Sequence, residues 1–328
     1  MVQAIEAAAT VRRRVAPRPW VGAVLVPAGA PDHPGFVGAT DGRSGPHAEV
    51  VALTAAGAAA EGSTLFVTLE PCSHHGATAP CADAVIAAGV ARVVVGVADP
   101  DPRVSGQGIE RLRSAGIEVE LGVAAAAVEA QLAPYLHHRR TGRPLVVLKL
   151  AATLDGRTAA PDGSSQWITG PEARLDVHRL RADSDAILVG AGTVRADDPS
   201  LTVRLPEAER GTDDTEPVRI VLGSAPADAA IRPCLEVSGD LEAVLDELGD
   251  RGILQLLVEG GATVAGAFHR AGLVDRHVLY LAPALFGGED AAPMFAGVGA
   301  PSIDALRRGR IVEIRRLGDD LRLDLEGM

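Results

Sequence analysis

Aromatic residues are scarce in this chain: five Phe, two Tyr and two Trp make up 3% of its 328 residues. Small aliphatic side chains, Ala and Val above all, must therefore fill its cores. Three cysteines are too few for a disulfide framework and fit a reducing compartment. A basic excess is also missing. The formal net charge is −12, and a protein that displaces counterions from phosphate needs the opposite sign, so no nucleic-acid polymer is expected as partner or substrate. No run of about 18 apolar residues occurs, so no helical membrane span is expected. The opening MVQAIEAAATVRRRV is amphipathic without a signal-peptide core, which points to a cytoplasmic protein. Internal repeats and the GxGxxG dinucleotide fingerprint are absent.

What is present is a globular chain, 47% hydrophobic, whose length at about 150 residues per domain predicts two domains. Helices are expected over residues 3–14, 46–60, 80–89, 105–115 and 124–139, with buried strands over 21–26, 64–69 and 93–97, an alternating α/β pattern. Residues 137–144 are polar, basic and punctuated by Gly142 and Pro144; they read as a connector and divide the chain into 1–143 and 144–328. The second part restarts with a strand over 145–150, a helix over 171–182 and buried strands over 186–189, 218–222 and 253–258. It closes on a hairpin, 311–317 with 321–325. Glu259-Gly260-Gly261 before a helix offers backbone N–H groups to a phosphate, although a tight turn gives the same pattern.

The densest chemistry lies between residues 47 and 81. His47, Cys72 and Cys81 form a ligand set typical of catalytic zinc, which takes three protein donors and leaves a fourth position open. Glu49, two residues beyond the His, is placed to move protons without binding the metal. Both His47 and Cys81 stand where helices are expected to begin, and the positive end of a helix dipole favours thiolate. His74 and His75 are near enough in sequence to be a fourth ligand or to face substrate, and Cys234 remains a lone thiol.

Cytidine and tRNA adenosine deaminases use Cys-x-x-Cys, whereas eight residues separate Cys72 from Cys81 here, within TLEPCSHHGATAPC. That stretch closely resembles the bifunctional riboflavin-biosynthesis deaminase–reductases. The resemblance continues in KLAATLDGR (149–157), SQWIT (165–169), RADSDAIL (181–188), GTVRADDPSLTVR (192–204) and VEGG (258–261). It implies an α/β chain with a cytidine-deaminase-like α/β/α sandwich followed by a dihydrofolate-reductase-like α/β domain. It further implies Zn2+ and NADPH as cofactors, and a zinc-dependent deamination of 2,5-diamino-6-(5-phosphoribosylamino)pyrimidin-4-one followed by reduction of the ribosyl group to ribityl. By the same resemblance Ala151, Trp167, Thr193, Asp197, Ser224 and the turn Gly261, Ala262, Thr263, Val264, Ala265, Gly266 and Ala267 would contact NADPH. Ser165, Arg181, Leu201, Arg204 and Glu259 would hold the reductase substrate, with Arg181 and Arg204 able to pair bidentately with its phosphate. Reductase domains of this kind often pair, so a homodimer or higher homo-oligomer is expected.

Three positions depart from the family pattern: Arg18 stands between Pro17 and Pro19 in place of Asn, the segment 38–42 lacks a His, and Ala77 replaces a basic residue. Arg18 is a candidate for the phosphate contact that Ala77 cannot make. Gly223 replaces an Asp near the adenosine end of the cofactor site. Two other readings stay open: a paralogue acting on a related pyrimidine, and a non-catalytic pyrimidine- or nucleotide-binding protein. The intact set His47, Glu49, Cys72 and Cys81 weighs against the latter.

Overall fold

The computed structural model describes residues 1–74, 79–211 and 214–327. The chain forms two compact units, Met1–Gly142 and Arg143–Met328. Among the described residues no helix is long and apolar enough to cross a membrane.

The first unit is built on a five-stranded sheet in the order β2-β1-β3-β4-β5, with β1 Gly22–Val26, β2 Phe36–Ala39, β3 Thr64–Leu69, β4 Arg92–Val97 and β5 Glu118–Leu121. β1 runs antiparallel to β2 and β3, while β3, β4 and β5 are parallel. Helices α1 Val2–Ala9, α2 Arg12–Val15, α3 Ala48–Ala56, α4 Cys81–Ala87, α5 Gln107–Ser114 and α6 Ala125–Thr141 complete it. β4 is buried nearly throughout, which explains its unbroken Val-rich run.

Two expectations change here, and one strand is added. The helix over 3–14 is broken: α1 ends at Ala9, Thr10 bonds back to Ala7 O through its hydroxyl at 2.7 Å, and α2 begins at Arg12. Residues 36–39, to which the sequence pattern assigns no element, form a strand. Gly38 allows it, since a Cβ there would stand 2.2 Å from Ala48 O of the helix packed above. The connector is helical over most of its length: α6 runs through Thr141 and ends at Gly142, left-handed with φ 78, whose N–H bonds His138 O.

The second unit carries an eight-stranded sheet in the order β10-β9-β8-β11-β6-β12-β15-β14. Its strands are β6 Leu145–Thr153, β8 Ala186–Gly190, β9 Val218–Leu222, β10 Leu235–Val237, β11 Gln255–Val258, β12 Arg276–Ala282, β14 Arg310–Leu317 and β15 Asp320–Glu326. β10 through β12 are parallel neighbours, and the hairpin β14–β15 adds two antiparallel strands at one edge. A small ribbon pairs β7 Arg157–Ala159 with β13 Ala292–Pro293. Helices α7 Pro171–Ala182, α8 Ala191–Asp197, α9 Leu241–Asp250 and α10 Ala262–Ala271 connect the parallel strands. The core gathers Leu148, Leu188, Ile220, Leu248, Leu256 and Phe268, all fully buried. In a parallel sheet the loops after the strands' carboxyl ends collect on one rim, where ligands bind. The loops after β6, β8 and β11 line one cavity there.

Candidate active sites

In the first unit the three expected ligands converge. His47 is the residue immediately before α3, Cys81 opens α4, and Cys72 follows β3 by a short turn. Their ligand atoms all lie within 4.8 Å of one another. His47 Nδ1 stands 3.1 Å from Cys81 Sγ and 3.5 Å from Cys72 Sγ, and the Cys81 backbone N–H donates to Cys72 Sγ at 3.3 Å. The two thiols are hydrogen-bonded to each other. A hydrogen bond from Cys81, then one from His47, pulls Cys72 down to about 4, while the same bond and burial push Cys81 up. The bond to Cys72 also raises His47. Two sulfurs and one imidazole, with no fourth His, Cys, Asp or Glu joining the group among the described residues, suit zinc with one position left open.

Glu49 lies in the first turn of α3, 3% exposed. Burial pushes its carboxyl up from the usual range, against the pull of His47. A buried acid of raised pKa beside a metal site is suited to shuttling protons. His74 stays outside the ligand group, and its Nδ1 is buried without a partner among the described residues. His75 and Ala77 lie outside the described residues. Arg18 donates through Nη1 to Gly42 O and Gly45 O, both at 3.1 Å, and its positive charge opposes protonation of His47. The whole stretch from Ser73 to Pro80 contains no Lys or Arg. The charge felt at His47 therefore comes from Arg18, outside that stretch.

In the second unit a cavity of about 1230 Å³ gathers residues from 149 to 292. Of the expected cofactor contacts, Ala151, Trp167, Thr193, Asp197 and Gly261 through Val264 line it; of the expected substrate contacts, Ser165, Arg181, Leu201, Arg204 and Glu259 all do. Ser224 is exposed and off the lining. Ala265, Gly266 and Ala267 are also off it, because α10 turns that face inward: Ala265 is buried in the sheet core, and a Cβ on Gly266 would meet Ala296 O at 2.2 Å. Only the first turn of α10 faces the cavity, as a helix N-terminus must to present its free N–H groups. Thr193 Oγ1 accepts the Gly261 N–H at 3.2 Å and pins that turn. Trp167 is 68% exposed, with the Arg174 guanidinium 4.6 Å from its ring centre.

Arg181 does not present a free fork. Its Nε and Nη2 hold Glu259 at 2.6 and 3.0 Å, and its Nη1 reaches Thr202 O. Burial alone would raise Glu259, but Arg181 and Lys149 bring it below the usual carboxylate range. With Arg174 held by Thr169 O and the Trp167 ring, the lining cations that remain to meet a substrate anion are Arg204, Arg195 and Lys149. Lys149 Nζ stands 3.8 Å from Glu259 and 5.9 Å from the Tyr280 ring centre, and burial lowers its pKa. It is the only lysine in the chain. A sequence that uses arginine everywhere else marks this position by that fact alone. His178, also on the lining, is pulled down to about 4 by burial and by Arg181 and Arg204, so it is neutral at pH 7.

Two family models match the chain: the cytidine and deoxycytidylate deaminase zinc-binding region over residues 1–97, and the RibD C-terminal domain over residues 144–323. The riboflavin biosynthesis protein RibD of Escherichia coli K12 is 40% identical over 365 residues, covering 100% of this chain and 98% of that one. The RibD of Mycobacterium tuberculosis is 44% identical over 333 residues, 98% and 95% of the two chains. Among solved structures, Acinetobacter baumannii RibD superposes with a TM-score of 0.92 at 36% identity, covering 100% of this chain and 97% of that one. A Thermotoga maritima diaminohydroxyphosphoribosylaminopyrimidine deaminase/5-amino-6-(5-phosphoribosylamino)uracil reductase gives 0.87 at 33%, with 100% and 97% covered. The chain belongs to the RibD family of riboflavin biosynthesis enzymes, which join a zinc-binding deaminase to a reductase.

Proposed function

We propose that the first unit, residues 1–143 by the sequence division, deaminates the phosphorylated diaminopyrimidine named for the Thermotoga maritima relative, and that residues 144–328 reduce the ribosyl group of the product. The observation that carries this reading is the convergence of His47, Cys72 and Cys81 beside the buried acid Glu49. Those three residues would hold zinc, which when bound supplies a water activated near neutral pH. Glu49 takes a proton from the attacking water and delivers it to the departing amine nitrogen. Arg18 would meet the substrate phosphate, the loop between the cysteines having no cation to offer.

In the second unit NADPH supplies the hydride. The first turn of α10 and Thr193 would hold its phosphates, and Trp167 would cover one of its rings. Arg204 and Lys149 would meet the substrate phosphate and sugar, and Lys149, its proton loosened by burial, would protonate the sugar oxygen as the ring opens. The Arg181–Glu259 pair fixes the floor beneath them. A homodimer would use strand β14, the sheet's outer edge, where Ile311, Val312 and Ile314 are exposed. Sedimentation of the purified protein tests that, and a monomer would remove it. The activity is tested by incubating the protein with the diaminopyrimidine phosphate, with and without NADPH, and identifying products by mass. Exchange of an amine for oxygen without NADPH, and a further gain of two hydrogens with it, is the expected result. No change in either condition refutes the assignment.

A further inference from the structure

Glu70 lies one residue beyond β3 and two before Cys72, 3% exposed, and the chemistry above gives it no role. Its carboxylate accepts four backbone N–H groups. Oε2 takes those of Asp99 at 3.2 Å and Gly106 at 3.0 Å; Oε1 takes those of Gly108 at 2.9 Å and Ile109 at 3.3 Å. These donors belong to the turn after β4 and to the start of α5. α5 begins after Gly106, left-handed with φ 84, which has no side chain to cap the helix, so its free N–H groups are satisfied by a carboxylate from a distant part of the chain. Backbone packing reinforces the joint. A Cβ on Gly108 would stand 1.9 Å from Pro71 O, so α5 sits directly on the residue between Glu70 and Cys72. Glu70 N–H in turn donates to Val97 O at 3.0 Å. Beyond Pro71, Cys72 meets α4, its carbonyl accepting from Ala82 N–H at 3.1 Å and its Sγ from Cys81 N–H.

We infer that Glu70 is a positioning residue for the metal site: by holding α5 and the turn after β4 against Pro71, it aims Cys72 Sγ at the point shared with His47 and Cys81. The inference rests on the zinc reading of that cluster. Glu70 touches neither a ligand atom nor substrate. Its effect passes through the backbone of Pro71 and Cys72, and loss of it loosens one of the three donors. Partners that orient metal ligands from outside the coordination sphere typically change metal affinity about 10–100-fold when altered.

The test is the full-length protein carrying Glu70→Gln, which keeps the shape but turns an amide N–H₂ toward two of the four donors. The readouts are the rate at which zinc passes to a chromogenic chelator and the absorption of the cobalt(II)-substituted protein, whose thiolate and ligand-field bands report the geometry of the set to which Cys72 belongs. Leu112→Ala, a fully buried change on the same helix α5, serves as a variant that destabilises without touching the turn. The expected result is zinc release at least about tenfold faster and altered cobalt bands in Glu70→Gln, both as in wild type in Leu112→Ala, and NADPH-dependent reduction unchanged in both. If Glu70→Gln does not accumulate, Glu70→Asp, whose shorter stem cannot reach both pairs of donors, is read the same way. Release and cobalt bands identical to wild type, or equally changed in Leu112→Ala, overturn the inference. A wild-type protein that binds neither zinc nor cobalt overturns the metal reading and this one with it; a metal-loaded wild type with an indistinguishable variant overturns this one alone.

Discussion

The two sites are built by opposite means. The His47, Cys72 and Cys81 cluster is small, with three ligand atoms inside 4.8 Å set at the starts of two helices and the end of one strand. The reductase cavity is wide, about 1230 Å³, and draws its lining from the ends of several parallel strands. In the first site the protein's own donors set the chemistry, so a single side chain is decisive. In the second the protein chiefly shapes space and places charge around a cofactor that brings the reactivity. Single changes should therefore abolish activity in the first unit and grade it in the second.

Removing the metal should have the largest effect. Dialysis against a strong chelator is expected to end deamination while NADPH-dependent reduction of the deaminated intermediate continues; parallel loss of both would erase the contrast. Next in size is the buried pair in the cavity. Glu259→Gln leaves Arg181 and Lys149 without their counter-ion, and breaking such a pair costs about 3–5 kcal/mol, to be read from chemical denaturation of the second unit. The same change should leave zinc content alone.

A third prediction concerns acid. His277 is 1% exposed, with neither ring nitrogen partnered among the described residues, and burial followed by the neighbouring His269 lowers it to about 4. An unfolded histidine titrates near 6.5. The unfolded chain therefore gains a proton first, and stability present above about 6.5 is lost as pH falls toward about 4, roughly 3 kcal/mol in all. Denaturation of the second unit across that window should show the slope, and His277→Leu should reduce it, leaving the share that His178, also lowered to about 4, contributes. The smallest effect is expected at the edge of the metal site. Arg18→Ala should raise the deaminase KM for the phosphorylated substrate about tenfold with little change in kcat, in keeping with one lost charge-assisted hydrogen bond. An equal change for the dephosphorylated compound would assign Arg18 to the loop carbonyls of Gly42 and Gly45 instead.

The contrast also governs what could be read from the sequence. His47, Glu49, Cys72 and Cys81 announce themselves because the chemistry needs those residue types at short spacing, and the helices that start at His47 and Cys81 follow from local signals. The helix over 171–182 and the closing hairpin are legible for the same reason. Strand β2 was hidden by Gly38, whose purpose is a helix packed above it. Glu70 carries no local signal, because its partners lie at residues 99 to 109. The Arg181–Glu259 bond spans a wider gap still, so the sequence shows two candidate substrate contacts where the structure shows a pair. In α10 the Gly-Gly stretch opens the helix and its first turn lines the cavity, but which face of the helix meets the sheet is decided by packing around Ala265. Lys149 was legible in principle, as the chain's single lysine.

The measurement that bears most directly on two separate chemistries in one chain uses Glu49→Gln. Given the diaminopyrimidine phosphate it should form no product, while retaining its zinc. Given the deaminated intermediate and NADPH it should reduce it at the wild-type rate, followed by NADPH absorbance and product mass. Deamination that survives at wild-type rate, or reduction lost together with deamination in a zinc-loaded variant, would contradict the account.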